Sequence, residues 1–317
     1  MRDPGVYSIR RALPRMSWKP KNLFNLVQRT ITAGDKKSDI EFGQGRSESL
    51  FQQRWRSKTL VRAYHGDYIN EKIFKRWYLP DYLPDVRPKR KVFGDDKGQL
   101  QDFAKRKQKE KADAVEEKRK GLAPIGSLMF SEIERRLDVL VFRACFAQSI
   151  YEARRIVVHG NVLLNGKRHY NANTRLAPGD MFSVKPDAIR FLQPPANPKE
   201  WDNITDHEDA PKDLTPFHLP FYASPWLFIP AYLEVSFPTC SAVYVRHPTA
   251  RPQYSEVPTP YDADGDVIRH AWEWYMEHRP RKRTETQWAQ MPDDRLRRQM
   301  QEMRLGKNSI KLATSFV

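Results

Sequence analysis

Between residues 135 and 180, helix-start, helix-stop and turn residues lie so close together that only small elements fit between them. Ser149 with Glu152 is a capping-box pair, which starts a helix at Ile150. Gly160 stops that helix beside His159. Val162, Leu163 and Leu164 then read as a strand, Asn165-Gly166 as a tight turn, and Met181 to Val184 as another strand entered through Pro178-Gly179-Asp180. Upstream, Leu137, Leu140, Val141 and Ala144 share one helical face, and Ile150, Ala153 and Val157 form the stripe of the next helix. The spacing predicts two short helices followed by a small hairpin.

Cations mark the helix starts and turns of this unit. Arg135, Arg136 and Arg143 belong to the first helix, Arg154 and Arg155 to the second, and Lys167 and Arg168 follow the turn. A capped helix fixes the directions of its side chains, and the planar guanidinium fork bonds phosphate oxygens in pairs. Free N–H groups at a helix start add to the attraction for phosphate. Any one of these residues alone reads as a surface charge. Together, in a chain of 317 residues with net charge +16, they point to a polyanion, and specifically to folded RNA. His159 reads as an orienting residue with an RNA contact, and Asp138 as a local partner that orients its arginine neighbours.

The rest of the chain is less regular. Residues 48–78 are expected to be helical and to break at Gly66, with Arg54, Arg56, Arg62, Lys75 and Arg76 decorating them. Residues 103–121 are almost wholly charged and read as a solvated helix or linker, with an RNA-facing helix as the alternative. Residues 191–232 are rich in proline and aromatics and are expected to dock as an irregular ribbon on a neighbouring protein. Leu233 to Val235 and Ala242 to Arg246 read as strands, and 266–277 as a helix. A last helix is signalled by Pro292, Asp293 and Asp294 at its start and Gly306 past its end.

Residues 1–31 hold seven bases and one acid, and read equally well as a mitochondrial targeting segment or as an RNA-binding arm. Cys145 and Cys240 have no second Cys or His at metal spacing, so neither a zinc site nor a disulfide framework is expected. No run of 18 apolar residues is present, and no membrane partner is expected.

The run Arg136-Leu137-Asp138, Arg143, Ser149, Ala153-Arg154, His159-Gly160, Val162, Asn165-Gly166 and Pro178-Gly179-Asp180 resembles the S-four RNA-binding domain. The flanks narrow that resemblance. Leu60 to Gly66 with Phe74 to Tyr78 looks like the helical first domain of the small-subunit ribosomal protein S-four family. Leu233-Glu234-Val235, Arg246-His247-Pro248 and Ile268 to Tyr275 look like its end. The extra segments and the Arg-rich start look like a fungal-type mitochondrial member.

The resemblance implies an α+β chain: a helical N-terminal domain plus an S-four domain of two helices and a small β-sheet, with extended arms and insertions. The expected divisions are a basic arm 1–47, a helical domain with charged linker 48–121, the S-four domain 130–190, the insertion 191–232, closing strands and helix 233–277, and an extension 278–317. It implies a structural role in the mitochondrial small ribosomal subunit, in the matrix, with no cofactor. Expected partners are small-subunit rRNA, neighbouring ribosomal proteins including the S-five protein, and messenger RNA at its entry channel. Expected rRNA contacts are Arg135, Arg136, Arg143, Ser149, Arg154, Arg155, His159, Lys167 and Arg168, with Arg54, Arg56, Arg62, Lys75 and Arg76 from the first domain. The alternative is a stand-alone S-four-domain factor, either an RNA chaperone or a translational regulator. Enzymes carrying the same domain fit poorly. Asp138 is followed by Val139-Leu140-Val141-Phe142 rather than a pseudouridine-synthase loop, and no synthetase His-x-Gly-His motif occurs.

Overall fold

A computed structural model describes residues 12–30, 48–84, 123–193, 217–220, 222–280 and 284–301. The charged stretch 103–121, residues 194–216 of the insertion and Gly306 lie outside the described residues. The helices are α1 (Pro20–Thr30), α2 (Leu50–Tyr64), α3 (Leu137–Arg143), α4 (Ile150–Val158) and α5 (Asp266–Glu277). The strands are β1 (Val162–Leu164), β2 (Lys167–His169), β3 (Met181–Val184), β4 (Leu233–Ser236), β5 (Ser241–Tyr244) and the small hairpin β6–β7 (Ala250–Arg251, Tyr254–Ser255). The architecture is α+β.

Helix α2 starts at a complete capping box, in which Ser49 and Gln52 exchange backbone-to-side-chain bonds. It ends before Gly66, whose φ of +82° is the left-handed conformation that glycine adopts without strain. The chain then turns through Glu71–Ile73, capped by Asn70, into a π-helical stretch Phe74–Tyr78. Helix α2 packs along α5, joined by Phe51 and Trp55 against the Trp274 ring.

In the second unit α3 is buried on every side, from Leu137 to Arg143. The one-faced stripe expected for it is therefore only part of its contact surface. The N-terminal segment supplies some of the cover. Trp18 lies against Phe142 with ring centroids 4.8 Å apart, and Met16 and Leu23 are also buried. Residues 12–30 are thus not a free arm: Met16 and Trp18 pair with the backbone of Gln148 and Ile150 at the start of α4, and Pro20 opens α1. That pairing accompanies a shift in the expected capping box. Ser149 accepts from the Glu152 amide, but the Glu152 carboxylate accepts from Gln148 N at 2.9 Å instead of from Ser149.

Strands β1 to β5 form one antiparallel sheet in the order β2-β1-β3-β5-β4, which joins the hairpin to the closing strands. Val162, Leu164, Phe182, Val184, Ala242 and Tyr244 fill its buried face. The insertion also departs from expectation in its described parts. Phe191 lies tilted against Phe217 with centroids 5.4 Å apart, Phe217 meets Phe237 edge-on at 5.3 Å, and Tyr232 is buried outright. These aromatics pack on this chain's own core, Phe191 against Trp18 and Tyr232 against Tyr244.

Candidate nucleic-acid interface

Helix α4 is a rigid platform with a wet outer side. Ile150, Ala153, Ile156 and Val157 are buried, which turns Tyr151, Arg155, Val158 and His159 outward. Ser149 caps its start, and His159 is its C-cap, followed by Gly160 at φ +71°. The β1–β2 turn is built from Asn165 and Gly166, both at positive φ as a type I′ turn needs. Asn165 holds it in place, donating to Asp180 at 2.8 Å and accepting from Met181 N at 2.9 Å. Lys167 and Arg168 therefore stand on an edge strand, exposed and without an ion pair among the described residues. Arg154 is partly exposed; it bonds Asp138 and reaches the side-chain oxygen of Asn173 at 3.1 Å.

The structure separates these from a second group of expected contacts. The Arg136 side chain is 2% exposed and spends its donors on both Asp138 oxygens (3.0 and 2.7 Å), on Asn173 and on the Tyr78 hydroxyl. Arg143 makes a two-pronged pair with Glu134 at 3.0 and 3.1 Å and donates to the Pro258 carbonyl. Arg135 bonds Glu132, Asp294 and the Leu176 carbonyl. Arg62 donates to the carbonyls of His65, Gly66 and Ile69, closing the end of α2. Ser149 is buried as a cap. An unpaired guanidinium is prohibitively costly to bury, so each of these arginines comes with a carboxylate or a set of carbonyls. Their donors are taken up inside the fold.

The first unit's remaining candidates lie at an intermediate level. Arg54 pairs with Glu273 at 3.0 Å and with Glu277, and Arg56 with Glu48 at 3.0 Å. Lys75 and Arg76 are half-buried on the π-helical stretch.

Two features escaped the motif reading. One is Arg175, buried and bonded to Glu132 at 2.8 Å and to the Trp77 carbonyl. The other is the segment after residue 290, expected simply to begin a helix. Its backbone pairs with Arg175 in both directions: Arg175 N donates to Asp293 O and Arg295 N to Arg175 O, each at 3.0 Å. Asp294 accepts from Arg135 at 2.8 Å, and Arg295 grips both oxygens of Asp180 at 2.9 and 3.0 Å. This clasp closes one side of the unit. Two acids followed by a base, Asp293-Asp294-Arg295, were its sequence signal.

Below the platform, Glu134, His65, Arg143 and Tyr232 form a buried cluster. His65 Nδ1 lies 3.3 Å from Glu134, its ring stacks on Phe130 at 4.3 Å, and the Tyr232 hydroxyl donates to Glu134 at 2.8 Å. Burial by itself would raise the Glu134 carboxyl, but Arg143 and His65 overcome it and hold it at about 2. Burial pushes the His65 imidazole below its ordinary value, against the pull of Glu134. Among the described residues no group of three or more His, Cys, Asp or Glu side chains is placed to hold a metal ion.

A family model for the S4 domain matches residues 135–182, the span of α3, α4 and the hairpin. The chain is 27% identical over 306 residues to the small ribosomal subunit protein uS4m of Schizosaccharomyces pombe, covering 86% of this chain and 80% of that one. It is 31% identical over 147 residues to uS4m of Reclinomonas americana, with 46% and 50% covered. With the small ribosomal subunit protein uS4 of Tropheryma whipplei the identity is 33% over 187 residues, covering 58% of this chain and 75% of the relative.

Proposed function

This chain belongs to the uS4 family of small ribosomal subunit proteins, and on that premise we propose that it is a structural constituent of the mitochondrial small ribosomal subunit that binds small-subunit rRNA. The observation that carries the reading is the fixed row of outward cations on α4 and the β1–β2 hairpin. Arg154, Arg155, His159, Lys167 and Arg168 make the rRNA contacts there. Arg54, Arg56, Lys75 and Arg76 add phosphate contacts from the first unit. Arg62, Arg135, Arg136, Arg143 and Ser149 serve the same binding from inside, by setting the shape of the platform. The role is architectural and not enzymatic. The protein works in the mitochondrial matrix, beside the S-five protein and near the entering messenger RNA.

Sedimentation of a mitochondrial lysate in high salt tests this. Co-migration with the small subunit in stoichiometric amount is expected; recovery in light fractions would mean a factor that only visits RNA. A second test separates the two groups of arginines. Arg155→Ala with Arg168→Ala should flatten the slope of log affinity against log salt by roughly one to two units. Arg136→Ala should instead lower folding stability and leave the salt slope unchanged, because a buried guanidinium releases no counterions on binding. An unchanged slope in the surface pair would remove α4 and the hairpin from the interface.

A further inference from the structure

Tyr170 directly follows β2 and is 59% exposed, yet its ring is not free to wander. A Cβ on Gly160 would come within 2.5 Å of its Cε1 and 3.2 Å of its Cδ1 and Cζ, so the ring rests on the bare backbone at the end of α4. Only glycine at 160 leaves it that seat. Several other exposed aromatics are engaged: Tyr151 donates its hydroxyl to Asp67, Trp55 lies under the Lys58 ammonium and Phe51 meets Trp274. Phe24, Tyr82, Phe228 and Tyr254 are exposed too, but none of them lies on α4 or the β1–β2 hairpin. Tyr170 has no hydrogen-bond or ring partner among the described residues. Exposed His159 precedes the glycine beneath it and exposed Arg168 stands two residues before it, so residues of the proposed RNA surface flank the ring in sequence.

An exposed, positioned aromatic between phosphate-binding side chains is the arrangement that takes an unstacked base. We propose that Tyr170 is a stacking platform for an unpaired nucleobase, so that this surface takes RNA at a loop, bulge or single-stranded end rather than along a continuous duplex. The inference rests on the RNA reading above and adds the state of the RNA to it. Cations hold the backbone of paired and unpaired strands alike, and favour the denser charge of a duplex if either. The ring supplies the preference for an unpaired strand, because a paired base has both its faces occupied.

The test uses the full chain and two probes with equal numbers of phosphates, a single-stranded homopolymer RNA and a blunt RNA duplex, each titrated across a salt series. Tyr170→Ala should weaken single-strand binding by about 5- to 150-fold, the range for losing one stacked base, with no change in salt slope and no change for the duplex. Tyr170→Phe and Tyr170→Trp should bind as the wild type does. Tyr170→Leu keeps an apolar group over Gly160 and should match wild-type thermal unfolding while binding like Tyr170→Ala. The idea is overturned if Tyr170→Ala stays within about twofold of wild type on the single strand. It is equally overturned if Phe loses as much as Ala, if Leu restores binding, or if the loss comes with a shallower slope. A wild type that binds neither probe in a salt-dependent way would instead remove the RNA reading, and this inference with it.

Discussion

Glu134 and Arg143 show how much of this protein's charge is turned inward. Both side chains are almost fully buried and bonded to each other, and His65 and Tyr232 complete the cluster. Removing one partner strands the other in a water-poor site, so Arg143→Ala should lower stability by about 3–5 kcal/mol in urea unfolding. Replacing an exposed cation such as Lys167 should stay within about 0.5 kcal/mol. The same cluster sets an acid response. Glu134 is depressed from 4.5 to about 2, so its contribution is present above pH 4.5 and is lost as pH falls toward 2. His65 is depressed from 6.5, so the unfolded chain binds its proton first and stability already declines below pH 6.5. Urea midpoints across this range should fall in two stages, and Glu134→Gln should shrink the lower one, to which Glu256 and Asp180 also contribute. None of this was legible from residue types. A sequence shows that Arg136 and Arg143 are cations, but whether a cation faces water depends on carboxylates that the fold brings to it. For Arg143 and Glu134 those partners are nine residues apart, and for Arg135 and Asp294 they are 159 apart.

At the scale of single elements the sequence was far more readable. Local signals placed α4 from Ser149 to Gly160, the Asn165-Gly166 turn, β3, β4, β5 and α5, because caps, turn pairs and alternation act over a few residues. What local signals missed was cover. Helix α3 has a clear stripe, yet the chain buries its whole circumference, with Trp18 of the N-terminal segment against Phe142. Likewise, the prolines and aromatics of 191–232 spoke of an irregular ribbon, but not of whose surface the ribbon would meet. The end of α4 gives a sharp test of local geometry. Gly160→Ala forces a side chain into the left-handed region, at about 1–2 kcal/mol, and drives a Cβ into the Tyr170 ring. A lowered thermal midpoint together with changed Tyr170 fluorescence is the expected outcome. Gly166→Ala, with an equally positive φ but nothing within 4 Å of its Cβ, should show the first effect without the second.

Across the whole molecule, contacts distant in sequence decide what is joined. Helices α2 and α5 bring the first unit to the closing segment, β3 and β5 stitch the hairpin to the closing strands, and residues 293–295 fasten onto Arg135, Arg175 and Asp180. Asp294→Ala should speed amide exchange at Arg175 and Arg295, whose N–H groups lie in the clasp, and lower stability by about 1–3 kcal/mol. Unchanged exchange at both amides would mean that the backbone pairing stands without the carboxylate. The clasp also bears on the order of events at birth. A chain emerges from synthesis amino end first, and Arg135 and Arg175 leave the exit well before Asp294 exists. During that interval the two guanidiniums have Glu132 but not their second anion, Asp294. Residues 293–295 are thus a late stitch relative to the unit they fasten, whose two sides are joined only after residue 295 has been made.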